Sequence, residues 1–172
     1  MRFFSPPDAR SWVPVSAVCE FPLQNLPLAR IQVGESEPEL ATRIGDRHVR
    51  LERLASDGLV ELPWSNWAHF TCGQVAAVRQ KLFSLLVETA PPLPDHYFVG
   101  VDQSEAVLPI VPRSFVDFYS GIHHAENVGR MFRPEQPPLL PNYKHLPIGY
   151  NGRASTVRPS GRRCLRPNGV LK

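Results

Sequence analysis

The chain has 172 residues, 42% of them hydrophobic and 20% charged, enough for one ordinary domain with a core, or a small domain followed by part of another. That composition excludes a disordered polyelectrolyte, and 19 prolines, about double the ordinary usage, make an all-α fold the poorest fit. The net charge of +3 is unevenly spread, because residues 1–150 hold 13 of the 19 basic residues and all 16 acidic ones, leaving a purely basic end.

In chain order, residues 1–30 are proline-punctuated, and F-P-L-Q-N-L-P-L-A-R reads as extended chain broken at Pro22 and Pro27. Ile31 to Val33 reads as a strand, Gly34 as a turn, and Ala41 to Ile44 as a second strand ending at Gly45-Asp46. Val49, Leu51, Leu54 and Ala55 then fall at near-helical spacing, with Gly58 as a stop. The clearest helix follows Thr71, which pairs with Gln74 as a capping box. Val75, Val78, Leu82, Leu85 and Leu86 form its apolar stripe, and Arg79, Gln80 and Lys81 fall largely on the other face. Ala90 to Pro94 ends the helix, and Val107 to Pro112 is a second proline-bounded apolar stretch. A boundary falls between Pro91 and Pro112.

The basic end, Asn151 to Lys172, suits a nucleic-acid or membrane-surface tail by charge, yet it has no aromatic residue to stack on bases and no nucleic-acid motif. A solvated or anion-facing segment is the plainer reading. Cys19, Cys72 and Cys164 are odd in number and far apart, which indicates neither a disulfide framework nor a zinc site. No apolar run suits a signal peptide or a membrane span, so a reducing, cytoplasmic setting without membrane attachment is expected.

Functional groups concentrate in D-F-Y-S-G-I-H-H-A-E-N-V-G-R-M-F-R, from Asp117 to Arg133. Asp117 can give a hard oxygen ligand to Mg²⁺ or Ca²⁺, a histidine can serve as a general base near neutrality, and Arg133 can grip a carboxylate. By spacing alone the same segment also suits a surface helix with ordinary charges. A second cluster, N-Y-K-H-L-P-I-G-Y-N-G-R-A-S, sets Tyr150 between Gly149 and Gly152, either as a plain glycine turn or as a loop presenting the tyrosine to a ligand.

Both clusters, with F-P-L-Q-N-L-P near the amino terminus, resemble the fumarylacetoacetase family in order, spacing and wording. The resemblance implies metal-dependent hydrolysis of the carbon–carbon bond of 4-fumarylacetoacetate to fumarate and acetoacetate, the last step of tyrosine and phenylalanine breakdown. It implies Asp117 as first metal ligand, for Mg²⁺ and/or Ca²⁺, and His124 as catalytic base. Tyr119, Arg133 and Tyr150 match substrate-contacting residues, and His123, where relatives usually have glutamine, is incidental. It further implies an α+β chain, mainly β with some helix. Residues 1–110 would form a small SH3-like β-barrel, and residues 111–172 the incomplete start of a catalytic domain built as a mixed β-roll. Full-length members are dimers, so a homodimer is among the expected partners, with no nucleic acid and no membrane.

Three departures stand out: Asn151 in place of a histidine, Tyr143 in place of a common tryptophan, and an end that keeps only R-P-x-G of the family's R-R-P-x-G-Q. The family's other metal ligands and the carboxylate that orients its histidine lie beyond this chain's last residue. The expectation is therefore an inactive fragment with open sheet edges and exposed apolar surface. The alternatives are a non-catalytic β-barrel module that associates with a full-length relative, and a basic-tailed nucleic-acid binder.

Overall fold

A computed structural model of the chain describes residues 5–146, 148–166 and 168–169; Pro147 and Pro167 of the motifs and Lys172 of the basic end lie outside them. Two compact units emerge, one of Met1–Val111 with Arg158–Lys172, the other of Pro112–Val157. Residues 158–166, which the sequence boundary at 110 puts with the second region, group with the first, where the Arg162 guanidinium meets the Glu105 carboxylate.

The first unit is organised by a five-stranded antiparallel sheet of β1 (Ala29–Gln32), β2 (Glu39–Ile44), β3 (Arg47–Arg50), β4 (Phe98–Gly100) and β5 (Glu105–Val107), in the order β4-β3-β2-β1-β5. β2 and β3 are joined at Gly45, whose φ of +54° and whose approach to the Pro14 carbonyl, where a Cβ would sit at 2.7 Å, both call for glycine. β2 is the middle strand and is buried at every position but Arg43, so its pattern does not alternate. That is why the strand starts earlier than Ala41. Glu39 is held inside by Arg50, whose Nε donates to Oε1 at 2.6 Å, and the neighbouring Leu40 N–H finds Glu52 Oε1 at 3.2 Å.

Val49, expected in a helix, lies instead in β3, paired with Thr42 and Phe98. The helix α1 begins only at Leu51 and runs to Ser56, burying Leu51 and Leu54. The strongest local signal is realised as read: α2 (Cys72–Leu86) opens with the complete Thr71–Gln74 capping box and buries Val78, Leu82 and Leu86. They join Leu40, Ile44, Val49, Leu54, Trp67 and Phe98 in the core.

Arg79 departs from its expected outward place. Its guanidinium donates to the carbonyls of Leu26 at 2.5 Å and Gln24 at 3.2 Å, inside the F-P-L-Q-N-L-P segment. That segment acts as a fastener. Leu23 and Leu26 are buried, Gln24 Nε2 reaches the carbonyls of Pro6, Pro7 and Ala9, and Trp67 Nε1 donates to Ala29 O at 2.8 Å. The proline-rich amino terminus thus satisfies its backbone through side chains where a ladder cannot form. Ser11 Oγ and the Trp12 N–H likewise cap the Leu86 carbonyl left free at the end of α2.

The second unit holds a two-stranded antiparallel pair, β6 (Val116–Asp117) and β7 (Tyr150–Asn151), and the helix α3 (Ile122–Phe132). Sheet and helices together make the chain α+β. Large apolar side chains stand exposed on this unit, including Phe118 at 61%, Met131 at 75% and Phe132 at 70%, so the expected open apolar surface is present. Among the described residues no helix is long and apolar enough to cross a membrane.

Candidate functional site

In the β6–β7 ladder Asp117 stands directly opposite Tyr150, and side chains so paired share one face. The Tyr150 hydroxyl accordingly donates to Asp117 Oδ2 at 2.9 Å. The other carboxylate oxygen is engaged two residues on, where the Tyr119 N–H donates to Oδ1 at 2.7 Å. Within this short loop Tyr119 has φ +52°, a left-handed conformation uncommon for a bulky residue.

The same turn delivers the chain into α3 at Gly121, and His124 falls in the first turn of the helix. Its imidazole meets the Tyr119 ring edge-on, with centroids 5.5 Å apart and planes at 78°. Ala125 and Gly129, four residues apart on one stripe, are the buried face of α3, whereas His123 and His124 are exposed. Among the described residues neither histidine has a hydrogen-bond partner, so no carboxylate orients the His124 ring.

Electrostatics follow from these contacts. Asp117 is held below the ordinary carboxyl range by the Tyr119 N–H first, then by the Tyr150 hydroxyl and the charge of His124, with partial burial opposing. Tyr150 is pushed above the ordinary phenol value, chiefly because its proton is donated to Asp117. At neutral pH the pair is therefore a carboxylate receiving a phenol proton in a hydrogen bond.

Arg133 is placed elsewhere. It is the residue that ends α3, nine positions after His124, or about 13 Å along the helix axis. There Nη2 donates to the Pro138 carbonyl at 3.2 Å, and the buried Nε has no hydrogen-bond partner among the described residues. Gly129 makes this arrangement possible, since any Cβ would run into the Pro138 backbone. The structure brings together Asp117, Tyr119, Tyr150 and His124, and leaves Arg133 at the far end of the helix.

One participant lies outside the sequence-derived set. Tyr143 donates its hydroxyl to the Tyr119 carbonyl at 2.8 Å, and its ring meets that of Tyr119 edge-on at 6.3 Å. Its sequence signals are its place within the second motif cluster and its departure from the tryptophan common there in the family it resembles. Beside it opens a cleft of about 280 Å³ lined by Phe118, Tyr119, Ser120, Tyr143, Leu146 and Ile148.

A hard divalent cation takes about six oxygen ligands. Here one carboxylate is offered, both of its oxygens already accept hydrogen bonds, and no three His, Cys, Asp or Glu side chains among the described residues gather to hold a metal ion. The described residues by themselves do not fit a resident Mg²⁺ or Ca²⁺.

Comparison with known proteins gives a consistent set of relatives. The chain is 34% identical to a Caenorhabditis elegans fumarylacetoacetase over 95% of its own length and 43% of that protein. It is 34% identical to the fumarylacetoacetase of Oryza sativa subsp. japonica over 93% of the chain and 42% of the relative. With the Homo sapiens fumarylacetoacetase the identity is 32%, over 94% and 43%. The chain thus spans less than half the length of the curated relatives it matches. No protein-family profile matches it.

Proposed function

From the similarity to fumarylacetoacetases over nearly the whole of this chain, we propose that it carries part of the catalytic site of a fumarylacetoacetase-type hydrolase. The reaction is hydrolysis of the carbon–carbon bond of the β-diketone 4-fumarylacetoacetate to fumarate and acetoacetate, within cytoplasmic tyrosine and phenylalanine catabolism. Residues 1–110 are assigned to an SH3-like amino-terminal domain and residues 111–172 to the opening of a mixed β-roll catalytic domain. The five-stranded antiparallel sheet and the separate β6–β7 pair support that assignment. A homodimer is the proposed assembly of the whole enzyme.

In this reading His124 is the general base. A ring nitrogen takes a proton from water as the water oxygen bonds to the carbonyl carbon next to the scissile bond. When that bond breaks, its electron pair leaves on the acetoacetate carbon as an enolate, and the proton held by His124 returns to that carbon. Asp117 is kept ionised by Tyr119 and Tyr150. Tyr150 and Tyr119 offer the substrate a hydroxyl and an aromatic edge, and Arg133 is assigned to the substrate carboxylate. That last assignment requires Arg133 to leave Pro138 or the substrate to span α3. The implied Mg²⁺ and/or Ca²⁺ supplies Lewis-acid polarisation in this chemistry, but its ligand set needs oxygens beyond those of the described residues.

The observation that carries the reading is the meeting of Tyr119 and Tyr150 on the Asp117 carboxylate with His124 edge-on to the Tyr119 ring. Its test is a chimera in which this chain replaces the matching portion of the human enzyme, assayed by loss of 4-fumarylacetoacetate absorbance. Turnover supports the reading, and a folded but silent chimera refutes it. A second reading, a non-catalytic module that associates with a full-length relative, is favoured by the exposed Phe118, Met131 and Phe132. Alanine at Asp117 and His124 would leave such association intact.

A further inference from the structure

We propose that Tyr143 is a positioning residue of this site, which fixes the relation between Asp117 and His124 by clamping the left-handed turn at Tyr119. The observation is a chain of contacts through one residue. Tyr119 gives its N–H to Asp117 Oδ1 at 2.7 Å, its ring edge to His124 at 5.5 Å, and its carbonyl to the Tyr143 hydroxyl at 2.8 Å. A non-glycine residue at φ +52° persists only where its surroundings hold it, since its own sterics favour φ below zero. Tyr143 holds it twice, through the hydroxyl and through the edge-on ring contact at 6.3 Å and 89°.

Tyr143 itself is well anchored. It lies in a turn whose N–H groups are closed on Leu140 at 3.0 Å and on Asn142 at 2.9 Å and 3.0 Å, so the clamp is tied to a separate loop 24 residues along the chain. Relaxation of Tyr119 to negative φ would rotate its side chain and carbonyl relative to its own amide plane, so the N–H contact with Asp117, the ring contact with His124 and the carbonyl contact with Tyr143 would not all be kept together. A phenylalanine at 143 would fill the same space, so the hydroxyl serves orientation beyond packing. Tyr143 touches neither Asp117 nor His124 in any hydrogen bond and acts only through Tyr119. The inference rests on the proposed hydrolase reading only in calling that geometry catalytic.

The test is nuclear magnetic resonance on the full chain, with Tyr143→Phe as the isosteric variant. Loss of the clamp is expected to speed amide exchange of Tyr119 about fivefold, the factor one net hydrogen bond is worth. The His124 ring-proton shifts should move toward those of Tyr119→Ala, which lacks the ring current, while amides of α2 keep their rates. In a Tyr119→Gly background, where the left-handed turn needs no clamp, the same Tyr143→Phe change should leave exchange at position 119 unaltered. Unchanged Tyr119 exchange and His124 shifts would overturn the proposal. So would uniform acceleration across residues 112–157, which marks a purely structural role. No readout needs turnover, so failure of this inference and failure of the hydrolase reading are separate results.

Discussion

Tyr150 and Asp117 face one another in register across the β6–β7 ladder and share a hydrogen bond of 2.9 Å, the tie between two motifs 33 residues apart. The tie keeps the aspartate ionised and the phenol protonated. Removing the hydroxyl with Tyr150→Phe leaves Asp117 with the Tyr119 N–H and the charge of His124, so its carboxyl should titrate higher than in the parent yet still below the ordinary 3.8. The folded-state value is depressed, so whatever stability the group contributes is present above the ordinary value and lost as pH falls through the folded one. Carboxyl carbon shifts of Asp117 followed against pH give the answer directly, and an unaltered titration would take the Tyr150 hydroxyl out of the depression.

In the first unit His48 is 6% exposed on β3, and its Nδ1 lies 2.9 Å from Ser104 Oγ. The Ser104 hydroxyl proton goes to the Gly100 carbonyl, so its oxygen accepts and His48 Nδ1 donates. Burial lowers the His48 value below 6.5, and the charge of Arg43 lowers it further. A lowered base is neutral when folded, so its contribution is whole above the unfolded value and is lost as pH falls toward the folded one. Thermal stability should therefore decline as pH falls below the ordinary 6.5, and the decline should flatten in His48→Gln. Parallel slopes for parent and variant would remove His48 from the account.

Two ion pairs made by arginines of β3 should differ sharply. Arg50 and Glu39 pair at 2.5 Å with side chains 16% and 10% exposed, whereas Arg47 and Asp95 pair at 2.9 Å with 36% and 90% exposed. Arg50→Met leaves a carboxylate unpaired inside and should cost about 3 kcal/mol in urea unfolding. Arg47→Met keeps its packing on Phe98 and should cost less than about 1 kcal/mol. Equal losses would contradict the burial argument.

Addition of Mg²⁺ or Ca²⁺ to the isolated chain should give no saturable heat below about millimolar concentration, because one carboxylate cannot form a hard-cation cage. A micromolar isotherm abolished by Asp117→Ala would show that the described residues suffice.

What the sequence made legible was local. The Thr71–Gln74 capping box, the Leu82 stripe and the Gly45 turn each depend on residues within a few positions, and each appears as read. What it hid was non-local. Val49 looks helical until Phe98, far along the chain, pairs with it. Arg79 looks solvent-facing until the carbonyls of Leu26 and Gln24 are brought beneath it. At the site the motif resemblance named Asp117, Tyr119, His124 and Tyr150, which do converge, and Arg133, which does not. The role of Tyr143 depends on a backbone angle at Tyr119 that no side-chain pattern encodes.

The most direct test of the central claim is the rate of 4-fumarylacetoacetate cleavage by the chimera bearing this chain, parent against His124→Ala, at saturating substrate. The account predicts a fall in kcat of about 10² to 10⁴, the usual worth of a general base. Equal rates from a folded variant would contradict it and take His124 out of the chemistry.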